Sequence, residues 1–219
     1  TIGSSALSGC RGLTSITIPN LVTSIGGSAF SGCTGLSTVN FNATNCTTMG
    51  SSNSIVFGLC TNLKTINIGE NVKTIPDYAF FECKGLTGIN IPNSVTTLGM
   101  ATFKGCFGLK NATIGNSVTE IGEEAFCDCA GLTSVTIGTS VTSIGGSAFN
   151  GCTNLTNITM PNSVAEIGSS AFSDCIGLTN ITIPNSVISI YSFAFSGCSG
   201  LTSLTIGNSV TTIGNRSFF

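Results

Sequence analysis

Hydrophobic residues recur along this chain in one phrase that repeats every 23 residues. The copy from Val141 to Ser163 reads VTSIGGSAFNGCTNLTNITMPNS, and Val164 begins the next copy. The same spacing of 23 separates the members of two series of identical residues, which are Phe126, Phe149, Phe172, Phe195 and Cys129, Cys152, Cys175, Cys198. A period in this range is typical of solenoids, in which each repeat stacks on the next.

Each copy of the phrase predicts two extended segments and a tight turn. Apolar and polar residues alternate towards the end of the run from Leu155 to Met160, which predicts a short strand with one buried face. Val141 and Ile144 form a second apolar pair, which indicates a shorter extended piece. The segment from Ser147 to Cys152 contains a serine, a good helix former and a glycine, and we expect a single helical or 3₁₀ turn there.

None of these pieces is long enough to fold alone, so each repeat must bury its apolar side chains against its neighbours. The sequence therefore predicts a single β-rich solenoid over residues 1–219, with about nine 23-residue repeats and short parallel strands. The regular spacing fails once, between Phe30 and Phe57, which are 27 residues apart. We expect the extra residues, within 42–57, to bulge outward as a loop. Such a loop is either a tolerated surface insertion or a dedicated binding loop.

Glycine recurs at two positions of the phrase. Only glycine or asparagine precedes the first leucine of each strand, which predicts a positive φ. These residues are Gly12, Gly35, Asn62, Gly85, Gly108, Gly131, Asn154, Gly177 and Gly200. The residue after the second extended piece is usually glycine, but it is Pro76 in one repeat and Tyr191 in another. Proline excludes a positive φ, so small size explains that glycine.

The composition excludes several classes of function. Charged residues make up 7% of the chain and the net charge is −2, which leaves no basic surface for nucleic acid or for anionic lipid. No apolar run is long enough to cross a bilayer, so we expect no membrane insertion. The chain has no histidine, the commonest catalytic base, and we expect neither an enzyme nor a bound cofactor.

The acidic and cysteine residues lack the spacing of known metal sites. Glu120, Glu123, Glu124 and Asp128 lie in one repeat but lack the spacing of a calcium-binding loop, so we expect a solvated acidic edge rather than a cation site. The closest cysteine pair, Cys127 and Cys129, has no histidine to complete a zinc site. No metal is therefore expected.

Nine of the 11 cysteines occupy one position of the repeat. Stacking would align them in a column with a spacing of roughly 4.8 Å. We expect buried free thiols that behave as small hydrophobic groups. Disulfides between neighbours are the alternative, but each sulfur would have two equivalent partners. We also expect no hydrogen-bond partner for a hydroxyl placed there by a Cys152→Ser substitution.

Uncharged polar residues form two rows on the exposed side of the predicted strands. They include a threonine row, Thr113, Thr136, Thr159, Thr182 and Thr205, and a neighbouring row, Asn111, Ser134, Asn157 and Asn180. These rows either keep the surface soluble or form a recognition face, because repeat solenoids bind ligands on such surfaces. A protein or a glycan is the expected ligand, although the rows contain no aromatic residue to stack on a sugar.

The phrase L-x-x-I-x-I-P-N-S-V-x-x-I-G-x-x-A-F-x-x-C closely resembles the BspA-like leucine-rich repeats of bacterial and protist surface proteins. The copy from Leu178 to Cys198 shows it, with Tyr191 in place of the glycine. The resemblance covers essentially the whole chain; Leu7 in place of phenylalanine and Ala112 in a strand core position are local departures. It implies a leucine-rich-repeat solenoid located outside the cell or at its surface. It also implies an adhesin that binds host matrix proteins or other cells, without catalytic residues.

Two expectations concern the ends of the repeat tract. The chain begins and ends in mid-phrase, so we expect it to be a segment of a longer array. The alternative is that the uncapped ends stack on other copies, giving end-to-end self-association into an extracellular filament.

Overall fold

The computed structural model describes residues 1–219, in which each copy of the phrase forms one coil of a solenoid. A coil contains a long strand of three or four residues, a short strand of two residues, and a turn segment that leads to the next coil. The strands in chain order are β1 Ser15–Ile18, β2 Ser24–Ile25, β3 Thr38–Phe41, β4 Thr48–Met49, β5 Thr65–Ile68, β6 Thr74–Ile75, β7 Gly88–Ile91, β8 Thr97–Leu98, β9 Asn111–Ile114, β10 Glu120–Ile121, β11 Ser134–Thr136, β12 Ser143–Ile144, β13 Glu166–Ile167, β14 Asn180–Thr182, β15 Ser189–Ile190, β16 Ser203–Thr205 and β17 Thr212–Ile213.

All strand pairs are parallel and join equivalent residues of successive coils. The long strands pair along one side of the solenoid in three successive sheets, β1-β3-β5, β7-β9-β11 and β14-β16. Ser15 lies opposite Thr38 in the first sheet and Asn111 lies opposite Ser134 in the second. The short strands form a second ladder, with seven strands in the order β17-β15-β13-β12-β10-β8-β6. In β9 the exposed and buried residues alternate, as the period-two pattern predicts. The predicted leucine-rich-repeat solenoid is confirmed.

The turn segment is not helical, which corrects one detail of the sequence analysis. Some of its amides bond three residues back, as Asn150 N–H does to Ser147 O at 3.1 Å. The amides between them bond to the next coil instead, as Phe149 N–H does to Ala171 O at 2.8 Å. This alternation prevents a continuous helix and adds a third set of hydrogen bonds between coils. No helix of the structure has the length and hydrophobicity needed to span a bilayer.

A column of stacked phenylalanine rings fills the core beside the turn segments. Ring centroids of successive coils lie 5.3 Å apart between Phe149 and Phe172, with an angle of 7° between the ring planes. The column runs through Phe30, Phe57, Phe80, Phe103, Phe126, Phe149, Phe172, Phe195 and Phe218. Because each ring packs on the rings above and below, the energy of the core lies mainly between neighbouring coils.

The cysteines are free and lie beside this column. The Sγ–H of Cys152 donates to Phe126 O of the preceding coil at 3.3 Å, and Cys129 makes the same bond to Phe103 O at 3.1 Å. The expectation that a hydroxyl at position 152 would find no partner was therefore wrong. The carbonyl is available because the turn brings each phenylalanine oxygen over the cysteine of the next coil.

The glycine before each strand leucine does not have a positive φ, so that prediction was also wrong. A Cβ at Gly108 would lie 2.5 Å from Lys84 O of the preceding coil, so the glycine provides room for a close approach. Where asparagine replaces it, the side chain bonds to the corresponding carbonyl, as Asn154 Nδ2 does to Ala130 O at 2.8 Å. Positive φ angles occur instead in the turn, at Ser147 and Gly151 for example.

The glycine after most short strands serves close packing, as predicted; Gly50, after β4, is an exception with φ 52°. A Cβ at Gly122 would lie 2.6 Å from Leu98 O of the preceding coil, and one at Gly99 would lie 2.6 Å from Asp77 N. Neither residue has a positive φ.

Both backbone ladders are interrupted at the same interface, which we call the seam. It separates the coil that contains β4 and β5 from the coil that contains β6 and β7. Neither β4 with β6 nor β5 with β7 forms a ladder, and the only backbone hydrogen bond across the seam joins Thr87 N–H to Lys64 O at 3.4 Å.

The insertion lies in the first of these coils and forms a hairpin bridge between Ser51 and Ser54. Pro76 contributes too, because it lacks the N–H that Gly99 donates to Ile75 O in the next coil.

Candidate functional site

The long-strand face is the exposed side of the long-strand ladder, and it carries all nine predicted site residues. Each of the nine side chains is exposed. Strand register places Asn111 beside Ser134 and Thr113 beside Thr136, and a single bridge joins Thr136 to Thr159. The register continues from Asn180 and Thr182 to Ser203 and Thr205. The residues therefore form two adjacent polar rows with the spacing of parallel strands.

Most side chains in these rows have hydrogen-bonding groups free for a ligand. The only hydrogen bond from a side chain of the nine residues joins Asn180 Nδ2 to Thr179 Oγ1 at 3.2 Å. The first coils differ, because Asn67 Nδ2 donates to Asn40 Oδ1 at 2.8 Å and Asn40 Nδ2 donates to Thr17 Oγ1 at 3.2 Å. The predicted rows therefore offer more unpaired donors and acceptors than the equivalent rows of the first coils.

A depression of about 760 Å³ lies in this face across the last three coils. It forms where the long-strand ladder is weakest, since residues 155–160 make only the Thr136–Thr159 bridge. Five predicted residues line it, namely Asn157, Thr159, Asn180, Thr182 and Thr205. Asn111, Thr113, Ser134 and Thr136 lie outside the depression, in the neighbouring coils.

Sequence reasoning missed a third polar row at the edge of the depression, formed by Asn162, Asn185 and Asn208. These asparagines follow each strand in the turn after the proline or glycine. Asn185 Oδ1 accepts the backbone N–H of Asn208 at 2.9 Å, so the oxygen is used between coils while Nδ2 is left for a ligand. Asparagine recurs at this place in most copies of the phrase, and that recurrence was a signal for this row.

Two ion pairs lie on the turn segments, away from the long-strand face, whereas Glu70 lies beside Asn67 and Asn111 on that face. Lys104 Nζ contacts Glu124 Oε2 at 2.8 Å on the turn segments, and Lys84 Nζ contacts Glu82 Oε2 at 3.1 Å. Burial lowers the pKa of Lys104, but the hydrogen bond to Glu124 and the negative charges nearby raise it by more. The acidic residues do not converge with other ligands on a common metal site. The nine predicted site residues are uncharged, so their side chains offer hydrogen-bonding groups rather than charge.

Comparisons with known proteins place this architecture among bacterial repeat proteins. A leucine-rich repeat protein from Bacteroides ovatus superposes with a TM-score of 0.67 at 22% identity, covering 98% of this chain and 78% of that one. A leucine rich cell surface protein from Faecalibacterium prausnitzii gives a TM-score of 0.55 at 22% identity, over 93% and 82% of the two chains. The T. pallidum leucine rich repeat protein gives 0.62 at 29% identity, over 75% and 77%.

The sequence itself matches a family model more decisively than it matches any individual protein. No curated protein sequence gives a significant match. The model described as the BspA type leucine rich repeat region matches in six copies, over residues 1–133 and 119–219. Together these two ranges include every coil described above. The chain therefore belongs to the BspA-type leucine-rich repeat family.

Proposed function

We propose that this protein is a non-catalytic adhesion or ligand-binding solenoid that acts outside the cell or at its surface. Its ligand is a host matrix protein, another cell-surface molecule or a glycan. One observation carries the proposal: the long-strand face presents adjacent rows of exposed, uncharged hydrogen-bonding side chains in parallel register. A repeated flat surface of this kind suits a large ligand that contacts several coils at once.

The location is inferred from family relatives. One structurally similar protein is described as a leucine rich cell surface protein, and another is the pneumococcal vaccine antigen PcpA, which superposes with a TM-score of 0.51 at 19% identity. Membership of the same repeat family supports a surface location for this chain.

A protein ligand suits the face better than a glycan does. The rows contain threonine, asparagine and serine but no aromatic side chain on which a sugar ring would stack. Hydroxyl and amide groups in register pair well with the backbone and polar side chains of an extended protein segment.

Lysine substitutions test this face directly. We expect the triple change Thr136→Lys, Thr159→Lys and Thr182→Lys to weaken adhesion to a bound matrix protein or cell surface at least tenfold, because three charged side chains would block adjacent coils. Surface plasmon resonance against a panel of matrix proteins, glycans and cells provides the measurement.

The matched control places lysine at Thr96, Thr119 and Thr142, which are exposed at one repeat position beside the short strands. This control adds the same charge to another surface and should leave binding unchanged. Equal binding by the two triple variants would show that the long-strand face is not the site.

End-to-end assembly into a filament is the alternative function. It rests on the repeat pattern, in which any coil end is complementary to the next. Light scattering at high protein concentration distinguishes the two functions, since a strictly monomeric chain excludes intrinsic assembly.

A further inference from the structure

A second cavity lies at the seam, on the side of the turn segments, and shares no residue with the long strands. Its volume is about 320 Å³, at the lower end of the range for small-molecule sites. Residues of three successive coils line it. Ser28 and Ser31 lie in the coil before the insertion, and residues 52–61 lie in the coil that contains the insertion. Glu82 and Lys84 lie in the coil across the seam.

The insertion creates this space. Phe30 N–H bonds to Val56 O at 2.9 Å and Gly32 N–H to Gly58 O at 2.8 Å, so the turn of the inserted coil stays bonded to the preceding coil. The same turn makes no backbone hydrogen bond to the following coil. The gap left on that side opens between Leu59 and Lys84.

Leu59 lines this cavity and is an unusual residue for its repeat position. Its backbone is left-handed, with φ 60°, and its side chain is 75% exposed. The equivalent residue is glycine in five other coils, namely Gly9, Gly32, Gly105, Gly151 and Gly197, where the same backbone carries no steric cost. A leucine at this position is unfavourable for two reasons: its Cβ disfavours a left-handed backbone, and its apolar side chain is exposed to water. The side chain supplies an apolar surface to the cavity.

The rest of the lining combines apolar and hydrogen-bonding groups without net charge. Ile55 adds a second aliphatic side chain. The side chains of Ser28, Ser31 and Ser52 make no hydrogen bond within the protein, whereas Ser8, at the repeat position of Ser31, donates to Ser31 O at 3.1 Å. Lys84 and Glu82 neutralise each other at the mouth, with 3.1 Å between Nζ and Oε2.

We propose that this cavity binds a small neutral molecule, with an aromatic or branched aliphatic group that carries a hydroxyl or amide. The apolar part would lie against Leu59 and Ile55, and the polar part would bond to the serine hydroxyls. The ion pair at the mouth disfavours a charged ligand, because a charge would compete with one partner and repel the other. Bound ligand would fill the gap between two coils and so strengthen the seam.

Benzyl alcohol is a suitable probe, with benzoate and benzylamine as its charged relatives. We expect benzyl alcohol to give saturable amide shifts in ¹⁵N-labelled full-length chain, confined to residues 28–31, 52–61 and 82–84. Benzoate and benzylamine should bind at least tenfold more weakly. Shifts that spread along the solenoid, or that rise linearly without saturation, would overturn the proposal, and so would equal binding of a charged relative.

Two pairs of variants locate the site. Leu59→Gly should weaken benzyl alcohol binding at least tenfold and still fold, because glycine already occupies this position in five coils. Asp174→Gly relieves a similar left-handed backbone, with φ 58°, in a distant coil and should leave binding unchanged. If Leu59→Gly binds as the unmodified protein does, Leu59 does not form the site.

The second pair tests the insertion. A Cβ at Gly27 would collide with the side chain of Ser54, so Gly27→Ala should displace the insertion and weaken binding at least fivefold. Gly146 has the same repeat position, and its Cβ would meet Ser169 O at 3.5 Å and the Glu123 side chain at 3.8 Å, which are ordinary contacts, so Gly146→Ala should have no effect. Unchanged binding in Gly27→Ala would exclude the insertion from the site.

Discussion

The thiol of Cys152 donates to a carbonyl oxygen that already has one partner. Phe126 O accepts the backbone N–H of Cys129 at 3.1 Å in its own coil and the Sγ–H of Cys152 from the next coil. The same arrangement repeats for Cys106, Cys129 and Cys175. The cysteine position therefore combines a small buried group with a weak donor that links two coils.

We expect Cys152→Ser and Cys152→Ala to destabilise the protein by similar amounts, about 1–2 kcal/mol each. Serine keeps a donor for Phe126 O but buries a more polar and smaller atom. Alanine loses the donor and leaves a small cavity, but Phe126 O keeps its backbone partner. Urea denaturation of both variants under reducing conditions measures the difference. A cost for serine that exceeds the cost for alanine by more than 2 kcal/mol would mean that the hydroxyl finds no partner.

We expect the buried cysteine column to make the stability of the solenoid decrease at alkaline pH. Burial raises the pKa of Cys60 and of Cys198 from 9.0 to about 11. Burial also raises the pKa of Cys129 and Cys152 well above 9.0. Below pH 9 the folded and unfolded states are both protonated, so this part of the stability is fully present. Above pH 9 the unfolded chain loses thiol protons that the folded chain retains, and stability falls.

Each fully buried thiol should contribute a slope of about −1.4 kcal/mol per pH unit between pH 9 and its folded pKa. The free energy of unfolding, from urea titrations between pH 7 and 10.5 with reductant, should be nearly flat at first and then fall steeply. The double variant Cys129→Ala and Cys152→Ala should fall less steeply, whereas Cys10→Ala, at an exposed cysteine, serves as the control. A stability that stays constant from pH 8 to 10.5 would contradict burial of the column.

The seam divides the solenoid into a short part, residues 1–69, and a longer part, residues 72–219. Stability in a repeat protein is approximately the sum of terms for each coil and for each interface. At the seam the interface term lacks its ladder hydrogen bonds, and the Phe57 and Phe80 rings stack at 6.0 Å, against 5.3 Å for Phe103 and Phe126. Residues before the seam are therefore coupled less tightly to residues after it than other neighbouring coils are to each other.

Hydrogen exchange followed by mass spectrometry should show this division. We expect peptides from residues 1–69 to exchange faster and as a separate unit, because fewer bonds hold them to the long regular tract of 72–219. Peptides that contain β8 to β10 provide the internal control, since their interfaces are complete. Uniform protection along the whole chain would show that the seam does not weaken coupling. Benzyl alcohol should slow exchange at residues 52–61 if it binds the seam cavity.

The repeated phrase was sufficient to predict the solenoid, its parallel strands and the outward direction of Thr113, Thr136 and Thr159. The physical reason is that a period of 23 with alternating apolar residues can bury its side chains only by stacking on equivalent positions. The sequence also located the insertion between Phe30 and Phe57, because identical residues on both sides keep their spacing.

Contacts between coils could not be predicted in the same way. The close carbonyl at Gly108, the acceptor for the Cys152 thiol and the bonds of the turn around Ser147 all depend on the distance and rotation between one coil and the next. The phrase fixes which residues are equivalent, but it does not fix that geometry. The seam and its cavity arise for the same reason, since the insertion and Pro76 affect one interface only.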